Sequence, residues 1–391
     1  MAEPDAMMRG TLGDFFSISR EKGSEGLPTL SVTMHDGLVR RDSIDRKTES
    51  ELEDGEHLRV RPGDIAYNMM RMWQGASGLA TEDGIVSPAY VVVRPKKMID
   101  PLFASYWFKS ERMIYLFWAY SYGLTNDRLR LYAKDFTQIP VEVPPITKQR
   151  RIAEMLADFE RAIEATDAMI LAKQQRKRNL TFQILGALGP DVPFAALKTV
   201  TSINASSLSE ATDPNFEFEY FPIATDLNDE LDAAGWMTFG ESPSRARRLA
   251  KPGDAIYSTV RPLLRRCFRA PDNPKAVYST GYAVLGGGEK LNPRFLYHLL
   301  TSPDFERQIN ARLTGSNYPA ISAGDLGEVS VPLPPISQQN ETAELLDAFD
   351  REIDLLAERA TLLREQRRGL MQKILSFDHK HQSAVMEVAL I

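Results

Sequence analysis

PPITKQRRIAEMLADFERAIEATDAMILAKQQRKRNLTFQIL, residues 144–185, aligns without a gap to PPISQQNETAELLDAFDREIDLLAERATLLREQRRGLMQKIL, residues 334–375. The offset is 190 residues, and 14 of the 42 aligned positions are identical, among them Pro144/Pro334, Pro145/Pro335, Gln149/Gln339, Phe159/Phe349, Arg178/Arg368 and Leu180/Leu370. A repeat of this length constrains the architecture before any single element is assigned, because each copy must be a structural unit. The prolines close whatever precedes them, since the residue before a proline is pushed out of the helical region. Beyond them, Thr147 and Ser337 are placed to cap a first helical turn. From there to Leu185 and Leu375 there is no proline, and Gly369 is the only glycine. Each copy is expected to be one helix, roughly 58 Å long at 1.5 Å per residue.

The apolar stripe indicates what these helices do. In the first copy it runs Ile152, Leu156, Phe159, Ile163, Thr166, Ile170, Lys173, Lys177, Leu180, Ile184. In the second it runs Thr342, Leu346, Phe349, Ile353, Leu356, Ala360, Leu363, Arg367, Leu370, Ile374. The spacing alternates four and three, the 3.5-residue period that keeps a seam facing a partner helix in a coiled coil. A helix packed on its own domain would show a 3.6-residue period and would fit a short run as well. About five heptads in the same phase, twice, favour the coiled coil. The connection between the first helix and the second domain, GALGPDVPF (from Gly186), is too short to bring a second helix back parallel without its domain intervening. The pairing is therefore expected to be antiparallel, with a pseudo-two-fold axis relating the copies.

The repeat extends upstream. RPGDIAY (61–67) matches KPGDAIY (251–257) at the same offset, and Arg71 falls opposite Arg261. The register then slips by two, so that Ser87 and Tyr90 match Ser279 and Tyr282, and DPLFASYWFKS (100–110) matches NPRFLYHLLTS (292–302). Short β-branched and aromatic runs broken by Gly, Pro and Asp alternate here with helical stretches. The expected fold class is α+β: two similar mixed α/β domains joined by two long helices. The divisions are a first domain at 1–143, a helical spacer at 144–186, a second domain at 187–333, a second spacer at 334–377 and a tail at 378–391.

Composition bounds the function. At 391 residues, 43% hydrophobic and 26% charged, the chain has the balance of a globular protein. No stretch approaches the roughly 20 apolar residues of a membrane span, and the acidic start MAEPDAMMRG is unlike a signal peptide, so a cytoplasmic location is expected. One cysteine, Cys267, excludes an intramolecular disulfide, and five scattered histidines form no cluster with metal-ligand spacing. No metal site is expected. Phosphate loops, dinucleotide fingerprints, H-E-x-x-H and G-x-S-x-G are all absent. The P-P-[IL] segments superficially resemble the N-P-P-[YF] motif of amino-methyltransferases, but Val143 and Leu333 stand where the asparagine would be. No catalytic residue is assigned.

A net charge of −6 argues against a protein that simply coats nucleic acid, so any DNA binding must come from local patches. One basic run stands out: Arg245, Arg247, Arg248, Lys251, Arg261, Arg265, Arg266 and Arg269 against a single acid, Asp254. By itself such a run is compatible with a solvated face.

The two P-P-I-x-x-Q segments with their long helices, the closing LMQKIL around Met371 and the twice-used P-G-D-x-x-Y resemble the specificity subunit of type I restriction-modification systems over essentially the whole chain. The resemblance implies two target-recognition domains, each reading one half of a bipartite asymmetric site in double-stranded DNA, with the helices setting the unspecified spacer. It implies a non-catalytic subunit of a restriction system acting in phage defence. The implied partners are two methyltransferase subunits and the restriction/translocase subunits, and S-adenosylmethionine, ATP and Mg would be held by those partners, none on this chain. Base-reading groups are sought in loops between the matched motifs. In the first domain these are Arg71, Trp73, Gln74, Asn126, Arg128 and Arg130. In the second they are Arg245, Arg247, Arg248, Arg261, Arg265, Arg266, Asn317 and Tyr318. Arginine suits guanine, and asparagine or glutamine suits adenine. The competing reading is a coiled-coil protein-interaction scaffold that never touches DNA. A single-chain restriction or methylation enzyme would need a domain for which no room is left.

Overall fold

The computed structural model describes residues 6–34, 36–44, 54–125, 128–223, 234–315 and 319–375. Contacts divide the chain into two compact units, residues 1–166 with 359–391, and residues 167–358. The division falls inside the long helices rather than at the proline pairs, because each globule packs against half of each helix. The expected tail at 378–391 lies outside the described residues.

Unit 1 comprises β1 (Met8–Thr11), α1 (Leu12–Phe15), β2 (Phe16–Ser19), β3 (Leu30–Val32), β4 (Leu38–Arg40), β5 (Leu58–Val60), β6 (Ile65–Asn68), β7 (Ser77–Leu79), β8 (Gly84–Val86), β9 (Tyr90–Pro95), α2 (Pro101–Trp107), α3 (Glu111–Ala119), α4 (Ala133–Phe136), β10 (Pro140–Val143) and the first half of α5 (Ile146–Gly186). Unit 2 takes the rest of α5, then β11 (Phe194–Ala196), α6 (Leu197–Val200), β12 (Ser202–Ile203), β13 (Glu217–Phe221), β14 (Gly235–Thr238), β15 (Ala246–Leu249), β16 (Ala255–Ser258), β17 (Cys267–Arg269), β18 (Ala276–Ser279), β19 (Tyr282–Gly286), α7 (Pro293–Leu300), α8 (Pro303–Asn310), α9 (Ala323–Gly327), β20 (Ser330–Pro332) and the first half of α10 (Ile336–Leu375).

The units share a plan. An antiparallel sheet in the order β2-β9-β6-β7 has its counterpart in β12-β19-β16-β17, and the pair β1–β10 in β11–β20. Outside this frame they diverge. Unit 1 carries two separate strand pairs, β3–β4 and β5–β8, where unit 2 builds a four-stranded sheet β14-β13-β18-β15 with β13 parallel to β18.

The P-G-D-x-x-Y motif proves to be the turn that starts the central strand. Gly63 and Gly253 take φ of +93° and +83°, a region open to glycine because it lacks a Cβ. The following aspartates accept the backbone N–H of Arg61 (3.1 Å) and Lys251 (2.8 Å), and the tyrosines enter the core. Asp64 is further gripped by both donors of Arg94 at 2.8 Å.

The repeated glutamine has an equally specific task. Buried Gln149 accepts the Asp100 N–H (2.8 Å) and donates to the carbonyls of Met98 (2.9 Å) and Pro144 (2.8 Å). Gln339 repeats this with Asn292 N–H (2.9 Å), Lys290 (3.0 Å) and Pro334 (2.8 Å). Each thereby pins the start of a long helix to the chain entering α2 or α7, whose own caps are Asp100 and Asn292. The capping expectation is corrected here. The helices start at Ile146 and Ile336, and the Pro145 and Pro335 carbonyls accept the first helical bonds from the N–H groups of Gln149 and Gln339. Thr147 and Ser337 therefore lie within the first turn, not at the cap.

Every heptad position named above is buried or half-buried. In unit 1, Ile152, Ala153 and Leu156 from the start of α5 share one core with Leu375 and its neighbours Leu370, Met371 and Ile374 at the end of α10. In unit 2, Lys173 pairs with Glu352 and Lys177 with Asp350, so partner numbers fall as the first rise, and the segments run antiparallel. The three basic seam residues are thus spent on acids of the facing helix, the third being Arg367 on Glu160 at 2.8 Å.

Where helices meet globule, the same knot is tied twice. In unit 1, Glu160 accepts from Arg367 and from the Tyr106 hydroxyl (2.7 Å). Burial first, and then this bond, push the Tyr106 phenol up. In unit 2 the matching positions are Asp350, Lys177 and His298, and Asp347 adds a second carboxylate one turn away. Asp347 bonds Arg269, Arg294 (2.5 Å) and His298 (2.7 Å). Burial, then Lys177, hold His298 down at about 4. Burial alone would raise Asp347, but the bonds from Arg269, Arg294 and His298 outweigh it and hold it at about 2. His298, Asp347 and Asp350 therefore form a cluster of metal-ligand types that sequence spacing did not show. Three cations already neutralise its two carboxylates, which disfavours a further divalent ion.

Candidate nucleic-acid interface

In each unit the central strand runs out into a turn, and a hairpin lies against that turn. In unit 1, β6 ends at Asn68, whose side chain accepts the Met70 N–H (3.0 Å) and whose carbonyl accepts the Arg71 N–H (3.0 Å). The hairpin closes through the reciprocal bonds of Tyr122 and Arg130 (3.0 and 2.9 Å) and is tied to the turn by Leu131 N–H on the Met69 carbonyl (2.9 Å). In unit 2, Ile321 N–H meets the Thr259 carbonyl (2.9 Å) at the same 190-residue offset, and Thr314 and Ala320 close the hairpin (3.0 Å). In unit 1 the structure therefore sets the turn that carries Arg71, Trp73 and Gln74 against the hairpin that carries Arg128 and Arg130; in unit 2, of the candidates, it places Arg261 on the corresponding turn.

The candidates differ in what they have free. Arg71 is exposed and donates to Gln74 (3.2 Å), which orients both side chains. Trp73 is half-buried and spends its indole N–H on the Met70 carbonyl (3.0 Å), so it shapes the turn. Arg128 and Arg130 are exposed. Asn126, Asn317 and Tyr318 lie outside the described residues.

The basic run of unit 2 is dispersed by folding. Arg265 donates twice to Glu306 (2.9 and 3.0 Å), which also takes Arg178 (2.6 Å). Arg269 is held in the Asp347 knot, and Arg247 lies 5.0 Å over the Phe239 ring. Arg248 donates to Ser207 (3.2 Å), and Arg266 is buried at 5% exposure. Arg245 remains exposed, and Arg261, on the turn itself, adopts a left-handed φ of +50° with its N–H on the Pro319 carbonyl (2.8 Å). A charge run along a strand and its flanks points to both faces in turn. Proximity in sequence therefore overstated the patch.

Sequence reasoning passed over the apolar groups at this surface. Tyr115, Trp118 and Tyr122 are exposed in unit 1, and Leu124 on the hairpin is 96% exposed. In unit 2, Leu263 and Leu264 stand exposed between Arg261 and Arg265. The i, i+3, i+7 spacing of the three aromatics was a legible signal, but a helical stripe of that kind is ordinarily read as core.

No helix among the described residues is long and apolar enough to cross a membrane. A family model for the type I restriction modification DNA specificity domain matches residues 40–172 and again 208–364, one match for each copy of the repeat. The type I restriction enzyme MjaVIII specificity subunit of Methanocaldococcus jannaschii is 21% identical over 365 residues, 83% of either chain. A putative type I restriction enzyme specificity subunit of Haemophilus influenzae is 39% identical over 66 residues, 17% of this chain and 16% of that one. The fold is similar to a chain from a structure of the type I R-M system (TM-score 0.59, 16% identity, 96% of this chain and 99% of that one). It is also similar to the S subunit from M. genitalium (TM-score 0.57, 15% identity, 96% and 97%). A duplicated recognition fold on paired helices is the class these features define. The chain belongs to the type I restriction modification DNA specificity family.

Proposed function

We propose that each unit reads one half of a bipartite DNA site through its turn–hairpin surface, and that this chain is the non-catalytic reader for enzymes carried on other chains. The observation that carries this is where the two copies agree and where they part. They agree in the glutamine pins, the P-G-D turns and the helix knots, all spent on holding the fold. They part at the loops that carry the exposed arginines. Two readers on one scaffold can then recognise different half-sites.

The duplicated helical surface offers two copies of one methyltransferase partner equivalent seats, and restriction/translocase subunits join that assembly. S-adenosylmethionine, ATP and Mg belong to those partners. The modest local charge of this chain then suffices, because partners that close around the duplex share the phosphate contacts.

Selection of bound duplexes from a random library by the reconstituted complex tests the reading. Two short defined blocks separated by a fixed number of unspecified bases are expected. Binding without sequence preference would instead identify a protein-interaction scaffold.

A further inference from the structure

Leu124 is 96% and Tyr122 64% exposed on the unit 1 hairpin, and Met70 is 45% exposed on the turn to which that hairpin is tied. The hairpin is tightly built. A Cβ on Gly123 would stand 2.5 Å from the Arg128 carbonyl oxygen, and Arg128 N–H bonds the Thr125 carbonyl (2.9 Å). Arg71 follows Met70 on the turn, and Arg128 and Arg130 lie on the hairpin with Tyr122 and Leu124, all three arginines exposed. Exposed apolar groups that share a turn and a hairpin with exposed cations make an interaction surface, and the cations suit a polyanion.

Among the described residues the patch is not repeated: Thr314 closes the unit 2 hairpin where Tyr122 closes that of unit 1. The exposed Tyr115 and Trp118 of α3 correspond to Arg307 and Asn310 of α8, and unit 2 presents its leucines on the turn. A partner bound in two copies would meet like surfaces on both units, so an unlike surface belongs to the ligand that differs between them. Under the reading proposed above, that ligand is the half-site. On the major-groove edges of the bases, the group that an apolar side chain recognises is the thymine C5 methyl.

We infer that unit 1 reads thymine methyl groups through Leu124 and Tyr122, with its arginines on the neighbouring phosphates or guanines. This rests on the bipartite reading, and uracil-for-thymine replacement isolates it, because only the methyl is removed. Duplexes carrying the selected site, with each thymine of either strand replaced in turn, are titrated with the reconstituted complex at fixed salt. At least one replacement, confined to one half-site, is expected to weaken binding about fourfold, the worth of one buried methyl-sized group. Leu124→Ala should weaken binding to the parent duplex and erase the difference between thymine and uracil at that position, a coupling a merely structural loop residue would not show. A bipartite preference indifferent to every uracil, or a half-site pair without thymine, overturns the methyl reading alone. So does a Leu124→Ser variant that keeps its DNA preference but no longer co-elutes with the methyltransferase, since the patch would then hold protein. Absence of any bipartite preference overturns both readings.

Discussion

Gln149 and Gln339 show most plainly how one side chain can carry a repeat. Each is buried and makes three bonds to backbone groups with few other partners, so its loss strands buried polar groups. Gln149→Ala should destabilise unit 1 by about 2–4 kcal/mol, seen as a lower urea midpoint at unchanged slope. Gln175→Ala, on an exposed stretch of the same helix, should change it by less than about 0.5 kcal/mol. His298 supplies the pH dependence. It faces Asp347 and Asp350 of α10, Lys177 of α5, Arg269 of β17 and Arg294 of its own helix, and is held at about 4 instead of 6.5. The unfolded chain therefore binds the proton first. The stabilisation is fully present above pH 6.5 and is lost as the pH falls from 6.5 to 4, in all roughly 3 kcal/mol. Asp347, held at about 2, adds a further loss between 3.8 and 2. Unfolding titrations of His298→Gln should show a flatter decline from pH 6.5 to 4; an unchanged slope would contradict the assignment.

At the scale of elements, the long helices were legible because their information is periodic and local. Heptad spacing, the proline pairs and the constant offset together indicate where they run and which faces are covered. Leu156 is fully buried in the unit 1 core, and Leu156→Ala should cost roughly 3 kcal/mol in chemical denaturation, against almost nothing for Leu171→Ala, which is 67% exposed. A double-mutant cycle on Lys177 and Asp350 should show coupling above about 0.5 kcal/mol, whereas Lys177 with Glu344 should show none. What periodicity does not carry is the polar chemistry between elements. The Asp347 knot draws on β17, α7 and α10, and its members alternate with apolar neighbours that dominate the pattern. The basic run misled for the same reason. Arg265, Arg266 and Arg269 are adjacent in the chain, but folding sends them to Glu306, to the interior and to Asp347.

For the whole molecule, duplication of the scaffold predicts duplication of the partner. Native mass spectrometry of the reconstituted methylating complex should give two methyltransferase subunits per copy of this chain, and a stable one-to-one complex would contradict it. The bases read were not legible, because the reading loops are where the copies diverge, and an internal comparison is informative only where copies agree. The turn–hairpin pairing became visible only when the fold joined Met69 to Leu131 and Thr259 to Ile321. The central claim is that two unlike readers sit on one repeated frame. Methylome sequencing of a host carrying this chain with its cognate methyltransferase tests it most directly. The account predicts adenine methylation in a motif of two short, unrelated blocks separated by a fixed unspecified gap; one continuous motif, or none with an active methyltransferase, would contradict it.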